Sequence, residues 1–195
     1  MTTKLSGKVA LITGASAGIG QACARALTEE GARLVLTARR QERLDELKQQ
    51  AEKLGTQAIT VLGDAREEST AKNTVEAAMQ TFGQIDILIN NTGVGNYKNL
   101  VDTSAEEYDD MMDTNVRSTF LFTRHTVPVM LDARHGRNHQ DGALLLLNAS
   151  AKGRCIRGRP NTTAVLHTWG QNLDFHPHLH CIVTGGALSS MNQVL

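Results

Sequence analysis

The chain has 195 residues, 41% of them hydrophobic, with 20 basic and 20 acidic side chains. That length favours one domain with a sizeable core, and the balanced charge excludes a global field that would draw the chain to nucleic acid or an anionic membrane. No apolar run reaches the length of a membrane span, the opening residues read as strand rather than signal peptide, and Cys23, Cys155 and Cys181 show no C-x-x-C spacing, so a cytoplasmic, reducing setting is expected.

In chain order, KVALITG (8–14) is a short apolar run ending in glycine, and Ile19, Ala22, Cys23, Ala26 and Leu27 then recur on one helical face. ARLVLTA (32–38) reads as a second buried strand, followed by a charged helix carrying Leu44, Leu47, Ala51 and Leu54. AITVLGD (58–64) precedes a helix with Ala71, Val75, Ala78, Met79 and Phe82, and IDILINN (85–91) is the fourth strand. Successive βα units of this kind predict an α/β fold: a Rossmann-like, doubly wound parallel sheet covered on both faces. Another helix begins in TSAEEYDDMM, where Thr103 and Glu106 have capping-box spacing and Pro128 is expected to bend or end it. ALLLLNAS (143–150) reads as a fifth strand, while NTTAVLHTWGQNL (161–173) has the pattern of an amphipathic helix and LHCIVTGGAL (179–188) that of a sixth strand.

The first strand-to-helix turn carries the chemistry. TGASAGIG (13–20) sets Gly14, Gly18 and Gly20 where a backbone must approach a pyrophosphate and helix amides must point at it. A site choosing NAD normally holds the ribose hydroxyls with a carboxylate at the end of the second strand. Here that end reads LTARRQ, and Arg39 and Arg40 suit a 2′-phosphate through charged, forked hydrogen bonds, so NADP(H) is preferred over NAD(H).

TGASAGIG, NNTG (90–93), DTNV (113–116) and the serine of NAS (148–150) occur in the order found in the short-chain dehydrogenase/reductases, and residues 5 to 160 resemble that family. The resemblance implies that Gly14, Ser16, Gly18, Ile19 and Gly20 form the phosphate loop and that Arg39 selects NADP. It further implies that Asp64 and Ala65 contact adenine, that Asn91 and Gly93 lie beside the cofactor, and that Asn115 and Ser150 are two members of an Asn-Ser-Tyr-Lys tetrad. In such enzymes a hydride moves between nicotinamide and a carbonyl or alcohol carbon. A tyrosine of lowered pKa passes the proton, serine orients the substrate oxygen and asparagine positions a relay water.

The tetrad is incomplete. Tyr-x-x-x-Lys should lie about a dozen residues beyond Ser150, yet GRPNTTAVLHTWGQ (158–171) contains neither residue, and the tyrosines of the chain are Tyr97 and Tyr108. Instead VLHTWGQNLDFHPHLHCIVTGGALS (165–189) resembles transposases of rolling-circle insertion elements, of the His-hydrophobe-His nuclease class. That resemblance implies a metal pair at His178 and His180, without the tyrosine nucleophile and further ligand such a nuclease requires. The basic residues from Arg134 to Arg159 have no interleaved aromatics and read as solvated surface.

The expectation is therefore a chimera: an NADP-binding domain over 1–164, its sheet truncated at the C-terminal side, and a foreign tail over 165–195. Its partners are a dinucleotide, a small carbonyl or alcohol if the chain is active, and a second copy of itself in the manner of family dimers, with no nucleic acid, membrane or metal. The alternatives are a non-catalytic nucleotide-binding scaffold and, more remotely, a metal-binding remnant of a single-strand DNA nuclease.

Overall fold

The computed structural model describes residues 4–95, 98–135, 163–169 and 175–182. Four strands, β1 (Val9–Thr13), β2 (Arg33–Ala38), β3 (Ala58–Leu62) and β4 (Ile87–Ile89), form one parallel sheet in the order β3-β2-β1-β4. Register runs Val9 to Arg33 and Thr13 to Thr37 between β1 and β2, and Ala10 to Ile87 between β1 and β4. Helices α1 (Gly18–Glu29), α2 (Gln41–Lys53) and α3 (Glu68–Phe82) make the crossovers.

Every residue of β1 is buried, because β1 is central and both its faces are covered. Its side chains alternate between two cores. Val9 and Leu11 pack with Val35, Val75, Leu88 and Phe122, whereas Ala10 and Ile12 pack with Leu34, Leu36, Leu44 and Ile89. Each such leucine, isoleucine or valine contributes about 1.5–3 kcal/mol when fully buried. This is the doubly wound architecture that the repeated βα pattern predicts.

Helix α1 departs from the sequence reading. Its buried residues are Gly20, Ala24 and Thr28, while Ala22 and Ala26 face solvent and Cys23 and Leu27 are half-buried. At its start the helix approaches the loop closely: a Cβ at Gly20 would meet Asn91 Nδ2 at 2.4 Å and Gly14 O at 2.5 Å. In α2 and α3 the expected Leu44, Leu47, Ala51, Ala71, Val75 and Ala78 are buried, and Leu54, just past α2, is exposed.

Beyond a 3-10 turn at Leu100–Asp102, helix α4 (Ala105–Met112) continues through a π-helical turn at Asp113–Arg117 into α5 (Ser118–His135). The capping box is formed by Ser104 and Glu107, one residue later than the Thr103 and Glu106 spacing predicts. Thr103 instead donates its hydroxyl to Asn99 O, closing the preceding turn. Pro128 lies inside α5 and does not end it. Burial of Leu121, Phe122 and Met130 against the sheet offsets the roughly 3 kcal/mol that an interior proline costs.

Strands β5 (Thr163–Trp169) and β6 (Phe175–Ile182) pair antiparallel as a separate ladder, with His167 opposite His178 and Val165 opposite His180. The helix expected over 161–173 is thus replaced by a strand. Thr163, Val165, Thr168 and Trp169 are β-branched or aromatic, and pairing along β6 satisfies the backbone that a helix would have satisfied internally. The register shifts between His167 and Trp169, and Pro177, which has no N–H to donate, falls opposite that irregularity. The expected sixth parallel strand is likewise this antiparallel one. The fifth strand expected over 143–150, and the side chains of the basic run, lie outside the described residues. Among the described residues no helix is long and apolar enough to cross a membrane.

Candidate functional site

The carboxyl ends of the parallel strands, where open α/β sheets bind ligands, gather most of the residues that the sequence singles out. Gly14 follows β1 at φ +62° and Gly18 opens α1 at φ +56°, conformations that favour glycine. Between them Ala15 donates its N–H to Thr37 O at 3.2 Å, tying the loop to β2, and Ser16 is buried. The N-terminus of α1 has no side-chain cap, since Ala17 occupies that position, and no acidic residue stands in its first turn. Its first amides and positive dipole end are therefore left to an anion.

Asn91 braces this loop from β4. Its Nδ2 donates to Gly14 O at 3.0 Å. Thr13 Oγ1 accepts the N–H groups of Asn91 at 2.9 Å and Thr92 at 3.1 Å, so the ends of β1 and β4 are fastened side by side. A Cβ on Gly14 would meet the Thr92 backbone and Asn91 Nδ2 at about 3.0 Å, which leaves room for glycine alone. Thr13 was not singled out from the sequence. A hydroxyl-bearing residue ending an otherwise apolar strand is the signal that could have found it.

The two arginines after β2 behave differently. Arg40 turns inward, its Nη2 and Nε lying 3.0 and 3.3 Å from Ser16 Oγ. Arg39 projects outward, 69% exposed, with its Nη1 4.0 Å from Asp64 Oδ2. Asp64, after β3, is held mainly by Arg66: Arg66 Nε lies 3.1 Å from both carboxylate oxygens, Nη2 lies 2.7 Å from Oδ2, and the Arg66 amide donates to Oδ1 at 3.0 Å. The Arg66 hydrogen bonds hold the Asp64 carboxyl below the usual carboxylate range. Ala65 is buried in the core, and Ile19 is exposed at the start of α1.

Asn115 is buried in the π-helical turn. Its side chain pairs twice with one backbone position, accepting from Val94 N at 2.8 Å and donating to Val94 O at 2.9 Å. Its own carbonyl accepts the Thr119 hydroxyl at 2.9 Å. A Cβ on Gly93 would come within 3.2 Å of Asn115 Oδ1, so the NNTG segment packs closely against the π-helical turn at this glycine. Ser150 and Tyr97 lie outside the described residues, and Tyr108 is on α4.

These features fit a dinucleotide. The glycine positions of the turn give a diphosphate access to uncapped amides, and at the end of β2 the Arg40 guanidinium lies against Ser16 while that of Arg39 projects outward. Gly14, Ser16, Gly18 and Gly20 could hold the phosphates, and Asn91 and Thr13 set the shape of the turn.

Comparison with known proteins agrees with this geometry. The short chain dehydrogenase family model matches residues 8–138, and a transposase family model matches residues 162–194. An uncharacterized oxidoreductase of Staphylococcus epidermidis is 37% identical over 133 residues, which are 68% of this chain and 56% of that protein. The L-sorbose reductase of Gluconobacter frateurii, solved with NADPH and L-sorbose, is 35% identical with a TM-score of 0.64, over 68% of this chain and 51% of that one. An NAD+-bound xylitol dehydrogenase is 28% identical with a TM-score of 0.67, over 74% and 54% of the two chains. The chain spans little more than half the length of the curated relatives it matches. With its βα units, glycine turn and matched sequence together, this chain belongs to the short-chain dehydrogenase family.

Proposed function

We propose that the chain is the NADP(H)-binding part of a short-chain oxidoreductase whose catalysis is impaired or lost. Family membership implies a nicotinamide dinucleotide cofactor, which when bound would supply the hydride exchanged with a carbonyl or alcohol carbon. The observation that carries the reading is the open glycine turn flanked by Arg39 and Arg40, with no carboxylate at the end of β2. Gly14, Ser16, Gly18, Ile19 and Gly20 cradle the diphosphate. Arg39 and Arg40 take the 2′-phosphate, and Asp64 and Ala65 flank the adenine. Asn91 and Gly93 border the nicotinamide side. Solved neighbours include one bound to NADPH and one bound to NAD+, so cofactor choice rests on these charges rather than on the fold.

Loss of catalysis follows from chemistry. Asn115 and Ser150 remain, but the sequence beyond Ser150 carries no Tyr-x-x-x-Lys, the motif that supplies the proton-passing phenol in this family. The transposase match over 162–194 supports a junction near residue 164, with a foreign tail where the reductase helix would run. Without that helix no pocket for a particular carbonyl or alcohol is defined. Self-association through the helix containing Asn115 is part of the proposal, and Val101, Tyr108 and Phe120 expose apolar surface along this region. The three cysteines without pairing motifs favour a cytoplasmic setting.

Fluorescence titration of the full chain with NADPH and NADH tests the cofactor, and a carbonyl-reduction assay tests the loss of catalysis. The expected result is NADPH binding at least about tenfold tighter than NADH, with negligible turnover. Absence of binding, or reduction at roughly 1–10³ per second as in ordinary enzymes, would refute the reading.

A further inference from the structure

Arg66 has no part in the family resemblance, yet it makes more polar contacts than either arginine after β2. Its fork closes on Asp64 with Nε 3.1 Å from each carboxylate oxygen and Nη2 2.7 Å from Oδ2, and its remaining Nη1 reaches Asp110 on α4 at 2.8 Å. Arg39 approaches the same carboxylate, at Oδ2, only to 4.0 Å. Two cations therefore flank one carboxylate, and the fork of Arg66 has claimed it.

We propose that Arg66 is a specificity-determining residue for the cofactor: by saturating Asp64 it keeps Arg39 from closing onto that carboxylate and so leaves Arg39 available to a 2′-phosphate. This rests on the NADP(H) reading and deepens it. The argument is one of competition. A forked, charge-assisted pair is stronger than a single long contact, and Asp110 anchors Arg66 to α4 so that it does not trade places with Arg39. Without Arg66, Asp64, whose side chain is only 25% exposed, would keep its charge with Arg39 as the nearest cation. Arg39 is 69% exposed and already stands 4.0 Å from that carboxylate, so little displacement separates it from a closed pair. The 2′-phosphate then loses Arg39 to the carboxylate and is left with Arg40 alone. NADH, which lacks that phosphate, does not feel the loss.

The test is fluorescence titration of the full chain with NADPH and NADH, read as the ratio of the two Kd values, for the unaltered protein, R39Q, R66Q and the double variant R66Q/D64N. The ratio is the readout because Asp64 itself borders the adenine site and its loss lowers affinity for both cofactors together. The expected result is a fall of about tenfold in the NADPH preference of R66Q with NADH affinity nearly unchanged, and recovery of most of that preference in R66Q/D64N, where no carboxylate remains to capture Arg39. If R66Q does not fold, R66K, which keeps the charge but not the fork, is expected to show a smaller fall in the same ratio. An unchanged ratio in R66Q or R66K while R39Q loses its preference would overturn the role of Arg66 and leave the cofactor reading standing. Equal weakening of both cofactors, or failure of D64N to restore the ratio, would reduce Arg66 to a structural contact and likewise overturn it. An unaltered protein with no preference for NADPH would bring down the cofactor reading and this proposal together.

Discussion

Thr13 and Asn91 are joined across neighbouring strands: the Thr13 hydroxyl oxygen accepts the Asn91 N–H at 2.9 Å and, from the same position, the Thr92 N–H at 3.1 Å. One buried side chain thus satisfies two amides where β4 ends and the NNTG segment begins. Replacing Thr13 by valine keeps the shape and removes the acceptor. T13V is expected to lose about 1–3 kcal/mol of stability, whereas T13S retains most of it. Urea denaturation checks the first effect, and NADPH titration should show weaker binding in T13V, since Asn91 also braces Gly14.

Gly20 meets Asn91 Nδ2 and Gly14 O within 2.5 Å of where a Cβ would stand. Neither is the free end of a flexible chain, for Asn91 is hydrogen-bonded to that same Gly14 carbonyl. G20A must push α1 off the loop. A loss of about 1–3 kcal/mol in stability and of measurable dinucleotide binding is expected, with helical circular dichroism preserved.

Asn115 donates to and accepts from Val94, a pairing that only an amide side chain satisfies. N115A leaves both Val94 backbone groups without this partner, and about 1–3 kcal/mol of local stability is lost. The specific readout is faster amide hydrogen exchange at Val94. Exchange unchanged at Val94 would exclude this bracing role.

The Arg66 hydrogen bonds depress the Asp64 carboxyl below its ordinary value of 3.8. A carboxylate whose folded pKa is lowered binds protons more readily when unfolded, so its stabilisation is complete above the unfolded value. It fades as pH falls through the lower, folded one. The stability difference between the unaltered protein and D64N should accordingly be constant near neutral pH and shrink below about pH 4, as urea midpoints at pH 7, 5 and 3 would reveal.

How far the sequence was legible can be judged from particular residues. Alternating apolar runs and glycines located β1 to β4 and the turn at Gly14 to Gly20, because burial on both faces of a parallel strand leaves a continuous apolar stretch in the chain itself. In α1 the buried line is Gly20, Ala24 and Thr28, with Cys23 and Leu27 of the expected face only half-buried, since periodicity weighs hydrophobicity and takes no account of where a helix meets its neighbours: at Gly20 the loop leaves no space for a Cβ. The capping box moved from Thr103 to Ser104 for a similar reason. Both residues have a suitable partner three positions on, and the preceding turn, which engages Thr103, decides between them.

What the sequence determined by itself was the class of fold, the glycine turn, the arginines after β2 and the absence of Tyr-x-x-x-Lys after Ser150, since these depend on residue type and short spacing. What only the tertiary structure decided were relationships between residues far apart in the chain: Thr13 with Asn91, Arg40 with Ser16, Asn115 with Val94, and Arg66 with Asp110. It also made 163–169 a strand rather than a helix, through pairing with 175–182. The physical reason is common to all of them. A hydrogen bond or ion pair depends on a few ångströms of separation, and those distances are set by how the layers stack rather than by any pattern along one segment.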